Sequence, residues 1–88
     1  MRFQFDIAKS AANKVKHGID FVEAQALWSD PDRLEIPARS MNEPRYQVIG
    51  QIGQTTWSAT VTYRHEEIIR LISVRRARAN ENKQYLGT

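Results

Sequence analysis

The chain contains no cysteine and only four glycines and three prolines in 88 residues. The first absence excludes a disulfide framework and cysteine-ligated zinc, and it fits a reducing compartment. With no Pro/Gly linker, internal repeat or low-complexity tract to divide it, residues 1–88 are expected to form one domain. Apolar stretches are a few residues long, far short of the roughly 20 that a membrane helix needs. The start, Met1-Arg2-Phe3-Gln4-Phe5-Asp6, has no signal-peptide core. A soluble, cytoplasmic protein without membrane contact is predicted. Acids are missing from one stretch above all: none lies between Ile68 and Asn80, where Arg70, Arg75, Arg76 and Arg78 fall within nine residues.

That arginine run begins as a buried strand, Arg70 to Arg75, and ends at the entry to a helix. Cations fixed at the edge of a rigid element suit a polyanion. The whole chain has 13 Lys+Arg against 10 Asp+Glu, a net charge of +3, and a pI near 9.6. This points toward nucleic acid without deciding it, since many small basic domains bind nothing anionic. Hydrophobic residues make up 41%, enough for a small core.

Periodicity divides the chain into a helical first third and a strand-rich remainder. Phe3 and Phe5 alternate with polar residues as in a short strand. Asp6 is a helix cap, after which Ala8, Ala12 and Val15, widened by Ile7 and Ala11, form an apolar stripe that stops at Gly18. Asp20 with Glu23 reads as a capping box, and Phe21, Ala24, Leu27 and Trp28 form the apolar face of a second helix that ends at Asp30-Pro31-Asp32. Leu34 to Pro37 reads as an edge strand. From Arg45 the period is two, with a two-residue turn at Gly53-Gln54 and a second turn near His65-Glu66. The last strand runs from Ile68 to Arg75, and Ala77 to Leu86 form a short basic helix.

These turns set a register. The first places Tyr46 opposite Val61 and Val48 opposite Ala59. The second places Tyr63 opposite Ile68, Ala59 opposite Ile72 and Trp57 opposite Val74. One face then collects Tyr46, Val48, Trp57, Ala59, Val61, Tyr63, Ile68, Ile72 and Val74, for the two helices to cover, and Arg70 shares its parity. The other face collects Arg45, Gln47, Thr60, Thr62, Arg64, Ser73 and Arg75, with Ile49, Ile69 and Leu71 as apolar exceptions. On that register Arg45 and Arg64 stand about eight residues, or roughly 26 Å, from Arg75. One phosphate cannot be shared by all three.

Several segments together resemble the BrnT family of toxins from type II toxin-antitoxin systems, within the RelE-like ribonuclease superfamily. They are Phe5-Asp6-x-x-Lys9-x-x-x-Asn13-x-x-Lys16-His17-Gly18-Ile19, Phe21-x-Glu23-Ala24, Trp28-x-Asp30-Pro31, Glu43-x-Arg45-Tyr46-x-x-Ile49-Gly50, and Ile72-Ser73-x-Arg75-Arg76-Ala77 with Glu81 and Tyr85. The resemblance implies an α+β, RelE-like fold: two N-terminal helices packed on an antiparallel sheet of three to four strands, with a short C-terminal helix. It also implies RNA cleavage without metal or other cofactor, and neutralisation by a BrnA-like antitoxin with a ribbon-helix-helix region, through which alone operator DNA would be reached. Two features depart from the family pattern. Pro44, with no N–H to donate, is expected to delay the strand that follows, and Arg64-His65-Glu66-Glu67 replaces an Arg-Gly type of turn, leaving Arg64 or His65 for the usual arginine place.

Cleavage of that kind uses the ribose 2′-OH as nucleophile, so a site must remove its proton, stabilise the phosphorane and protonate the leaving oxygen. Guanidinium suits only the second task. The catalytic candidates are therefore Arg64 and Arg75 for charge, with His17 and Glu81 for proton transfer. Lys16, Arg45, Arg76, Arg78 and Tyr85 are the RNA-binding candidates. Each has a plainer role open to it: His17 and Lys16 as cations at a helix C-terminus, Glu81 as the helical partner of Arg78 or Tyr85, and His65 as a turn residue. A non-catalytic nucleic-acid-binding module and a protein-interaction partner remain the competing functions.

Overall fold

A computed structural model describes residues 1–65 and 67–87, so Glu66 of the expected second turn lies outside the described residues. The element order is β1 (Arg2–Gln4), α1 (Ile7–His17), a 3-10 helix (Glu23–Ser29), β2 (Leu34–Ala38), β3 (Arg45–Ile52), β4 (Thr55–His65), β5 (Ile68–Arg76) and α2 (Ala79–Tyr85). The strands form one sheet in the order β1-β5-β4-β3-β2. It has five strands rather than three to four. It is also mixed rather than antiparallel, because β1 pairs parallel with β5. Among the described residues, no helix is long and apolar enough to cross a membrane.

Local chemistry accounts for the helix ends. Asp6 caps α1 by accepting from the Lys9 N–H at 3.0 Å, and Gly18 closes it at φ 83°, in the left-handed region open to glycine. The second helical segment is a 3-10 helix rather than an α-helix. Asp20 and Glu23 form the expected capping box before it, each carboxylate accepting the other's N–H, at 2.7 and 3.0 Å. The stripe of Ala8, Ala12 and Val15 does not face the core; Val15 is 89% exposed and Ile7 80%. Instead α1 buries Ser10 and Asn13. The reason is position: α1 packs against β5, where Asn13 bonds the Val74 backbone, while Ser10 accepts from the Phe21 N–H, so hydrogen-bonding residues occupy its inner face.

The core joins Ile19, Phe21, Ala24 and Leu27 to Val48, Trp57, Ala59, Val61, Ile69, Leu71 and Val74 on one side of the sheet. Gly50 belongs to this face. A Cβ there would stand 3.1 Å from Leu27 Cδ2 and 3.3 Å from Asp30 Oδ2, so glycine is what lets the 3-10 helix lie close on β3. Gly50→Ala is expected to destabilise the fold by about 1–3 kcal/mol, read as a lower urea midpoint; an unchanged midpoint would contradict this packing.

The β3/β4 register is as the Gly53-Gln54 turn predicts, with Tyr46 opposite Val61 and Val48 opposite Ala59. The β4/β5 register is not. Ala59 faces Val74, Trp57 faces Arg76 and Tyr63 faces Ile69, with register shifts between Thr60 and Val61 and between Tyr63 and His65. Thr60 pairs Ser73 and Val61 pairs Leu71, which makes Ile72 the extra residue of a bulge; Arg64 is the extra residue of the other. Each bulge changes the side-chain phase. Ile69 and Leu71 therefore enter the core, Ile68 and Ile72 are only half-buried, and Arg70 lies opposite Thr62 on the other face rather than on the core side. The distance between arginines shrinks as well. Ile49, Ser58 and Arg75 form one row of the sheet; Arg45 is four residues along β3 from that row, about 13 Å, and Arg64 six residues along β4 from it, about 20 Å, both less than the expected 26 Å.

Candidate functional site

The face opposite the core carries the polar residues of β3, β4 and β5, and α2 packs against its β3 side. Arg75 projects onto this face because the bulge at Ile72 leaves Val74 in the core and turns its neighbours outward. There it meets Glu81, which α2 presents one turn from its start. The guanidinium donates to both carboxylate oxygens, from Nη1 to Oε1 at 2.7 Å and from Nη2 to Oε2 at 3.0 Å, a bidentate fork.

Glu81 is 6% exposed and holds more than this one partner. Its Oε1 accepts from the Arg78 N–H at 2.8 Å, which caps α2, and its Oε2 accepts from the Ser58 hydroxyl at 3.1 Å. A chain of hydrogen bonds continues across the sheet: Gln47 Nε2 donates to Ser58 Oγ at 2.9 Å, and the Thr60 hydroxyl donates to Gln47 Oε1 at 3.0 Å. Burial pushes the Glu81 carboxyl up, but the Arg75 hydrogen bonds and charge, with the Arg78 and Ser58 donors, outweigh it and leave the group below its ordinary value. A carboxylate so supplied is a weak proton acceptor and a rigid anchor for Arg75.

The far end of α2 is tied down by a second carboxylate. Tyr85 donates its hydroxyl to Asp30 Oδ2 at 2.5 Å, and the same oxygen accepts from the Gln51 N–H at 2.8 Å. The Asp30 hydrogen bond, with burial and the negative charge nearby, raises the Tyr85 hydroxyl to about 12, and the same bond holds Asp30 below its ordinary value. Tyr85 thus has its proton committed, which leaves its ring for contact.

The other sequence candidates fall in three places. Arg45 and Arg70 lie near Thr62, about 13 Å from the Arg75 row; the Arg45 Nε is buried with no hydrogen-bond partner among the described residues, and Arg70 Nη1 donates to Gln4 Oε1 at 3.2 Å. Arg64, at the bulge near the end of β4, is exposed with Glu43 Oε2 at 3.7 Å. Pro44 delays β3 by no more than itself, since Arg45 begins the strand, and the Pro44 carbonyl accepts from the Thr62 hydroxyl at 2.8 Å. Arg76 is exposed with its guanidinium 5.9 Å from the Trp57 ring centroid, a cation–π contact, and Arg78 is exposed before α2. Lys16 and the half-buried His17 end α1, and among the described residues no hydrogen bond or ion pair joins them to Arg75 or Glu81. His65, the last residue of β4, is exposed and also stands apart from the fork.

Ser58 was not among the sequence candidates, Gln47 was placed only on the open face, and Arg70 was assigned to the core side. The signal for Arg70 was present, because Ile68, Ile72 and Val74 occupy one parity of β5 while Ile69 and Leu71 occupy the other. Apolar residues in both phases fit either a strand buried on both faces, as Val48 and Ile49 are on β3, or a bulge, and β5 takes the bulge. For Ser58 and Gln47 the only signal was polarity at mid-strand positions.

A family model described as a ribonuclease toxin, BrnT, of type II toxin-antitoxin systems matches residues 5–81. The chain belongs to the BrnT ribonuclease toxin family. Membership implies an RNA substrate and an antitoxin partner. The crystal structure of the Brucella abortus ribonuclease toxin BrnT, at 1.1 Å resolution, is similar in fold, with a TM-score of 0.65 at 23% identity over 89% of this chain and 97% of that one. No curated protein matches. The match to the BrnT model ends at Glu81, so it takes in both members of the Arg75–Glu81 fork and not Tyr85.

Proposed function

We propose that the chain, as a single toxin domain over residues 1–88, is a metal-independent endoribonuclease in which Arg75, held by Glu81, meets the scissile phosphate. The observation that carries this reading is the part-buried fork at 2.7 and 3.0 Å. A guanidinium has five N–H donors. Two are engaged by Glu81 and one by the Arg76 carbonyl, which leaves two for a phosphate. The Arg75 side chain is 25% exposed, so it can be reached without leaving its anchor.

In the proposed reaction the 2′-OH oxygen attacks the adjacent phosphorus, its proton passes to a base, and the 5′-oxygen departs with a proton, leaving a 2′,3′-cyclic phosphate. Arg75 stabilises the charge that develops on the phosphorane. Glu81 orients Arg75. Proton transfer falls to His17, four residues along α1 from Asn13, which is bonded to Val74 beside Arg75. Arg45 and Arg70, with Arg64, Lys16, Arg76 and Arg78, track the RNA backbone, and Tyr85 stacks on a base. A BrnA-like ribbon-helix-helix antitoxin covers this face in the cytoplasm and carries the contact with operator DNA.

The test is incubation of the purified chain with RNA in EDTA, followed by analysis of fragment ends. Fragments ending in cyclic phosphate or phosphate are expected. Intact RNA with a mobility shift would sink the nuclease reading in favour of a non-catalytic binder.

A further inference from the structure

Strand β5 has β4 along one side for its whole length, but β1 covers its other side only at Ile68, Ile69 and Arg70. Beyond Arg70 that outer edge meets α1 instead of a strand. One side chain fills the gap. The Asn13 carboxamide, 8% exposed, accepts from the Val74 N–H at 3.1 Å and donates to the Val74 carbonyl at 2.8 Å. Its amide also donates to the Ile19 carbonyl at 2.8 Å, where the chain leaves α1. Asn13 thereby gives Val74 the exchanged pair of hydrogen bonds that a neighbouring strand would supply.

The position of this contact matters because Val74 is two residues past the bulge at Ile72 and one before Arg75. With the bulge, Val74 follows Ile69 and Leu71 into the core while Ser73 and Arg75 face outward. If β5 instead continued the Ile69/Leu71 phase unbroken, Ser73 and Arg75 would turn toward the core and Val74 away from it. The apolar pattern of the strand supports two phases, so something outside it must hold the chosen one. We propose that Asn13 is a positioning residue: it stands in for the missing strand and holds β5 in the phase that aims Arg75 at Glu81. As a contribution to catalysis this rests on the nuclease reading above; as a claim about the strand it does not.

Two measurements test it. In the wild-type chain, the Val74 amide should exchange its hydrogen as slowly as the β5 amides bonded to β4; exchange at the rate of an unbonded edge amide overturns the proposal, whatever any variant does. The second compares Asn13→Ala with Ser10→Ala. Ser10 is also buried on α1 and accepts from the Phe21 N–H at 2.9 Å, away from β5, so its loss reports on α1 packing alone. At a temperature where each is folded, Asn13→Ala is expected to lower kcat about 100-fold and to weaken the Ser58–Arg75 cross-strand contact seen by NMR, with KM changed less. Ser10→Ala should lose stability and keep both. Wild-type kcat together with an intact Ser58–Arg75 contact in Asn13→Ala overturns the proposal. If the wild-type chain cleaves no RNA, the nuclease reading fails, and Val74 protection with the cross-strand contact still decides the role of Asn13.

Discussion

Glu81→Ala is expected to lower stability by about 3 kcal/mol, the lower end of the range for breaking a buried ion pair because Arg75 keeps part of its side chain in water. For a domain of this size that is a drop of about 12 °C or more in melting temperature. The loss has three sources: Arg75 is left without its counter-charge, the Ser58 hydroxyl loses its acceptor, and α2 loses the carboxylate that accepts its first free N–H. The rate of RNA cleavage should fall as well, because a guanidinium freed from its fork samples many rotamers. A pH profile separates the ionic part. The Glu81 carboxyl is lower in the folded chain than in the unfolded one, so its contribution is present above the usual Glu range of about 4.3 and is lost as pH falls through the folded value. Wild type should thus lose melting temperature as pH falls below about 5 more steeply than Glu81→Gln, which cannot titrate at that position. Parallel profiles would show that Glu81 is no ionic anchor.

Arg75→Ala carries the largest expected effect on chemistry. Removing one preorganised donor to a developing oxyanion costs about 10²–10³ in kcat, and Arg75 has two donors left for that purpose after its contacts with Glu81 and the Arg76 carbonyl. The loss should appear in kcat with RNA saturating. Arg45→Ala and Arg70→Ala act differently. At about 13 Å from the Arg75 row they meet neighbouring parts of the strand, so each should raise KM and lower the salt dependence of binding by about 0.7 in log–log slope, with kcat nearly unchanged. The separate behaviours distinguish a charge-stabilising arginine from a tracking one. Melting temperatures must accompany the rates, since Arg75→Ala also strands the buried Glu81 carboxylate.

How far the fold was legible depended on what closes each hairpin. Gly53, at φ 62°, makes a two-residue turn that leaves one register for β3 and β4, and the pairing followed. Between β4 and β5 two bulges intervene, at Ile72 and Arg64, and strict alternation carried the wrong phase through Ile68, Arg70 and Ile72. Periodicity assumes an unbroken ladder. The face of α1 misled for a different reason: apolar spacing chose Ala8, Ala12 and Val15, whereas the inner face serves unpaired backbone, Asn13 at Val74 on the β5 edge and Ser10 at the Phe21 N–H. At the site, Arg75 and Glu81 were legible as charges six residues apart. Their pairing was not, because it depends on where the bulge points one of them and on α2 folding back over the sheet. The Tyr85–Asp30 contact joins residues 55 apart and leaves no local trace.

The central claim is that Arg75 and Glu81 act as one unit, the carboxylate serving the guanidinium and not attacking the RNA proton on its own. A double-mutant cycle on cleavage of RNA in EDTA tests it most directly, with kcat measured for wild type, Arg75→Ala, Glu81→Ala and the double variant at a temperature where all are folded. The account predicts that the double variant is no slower than Arg75→Ala, because Glu81 has nothing left to orient. Losses that multiply would contradict it and make Glu81 an independent participant.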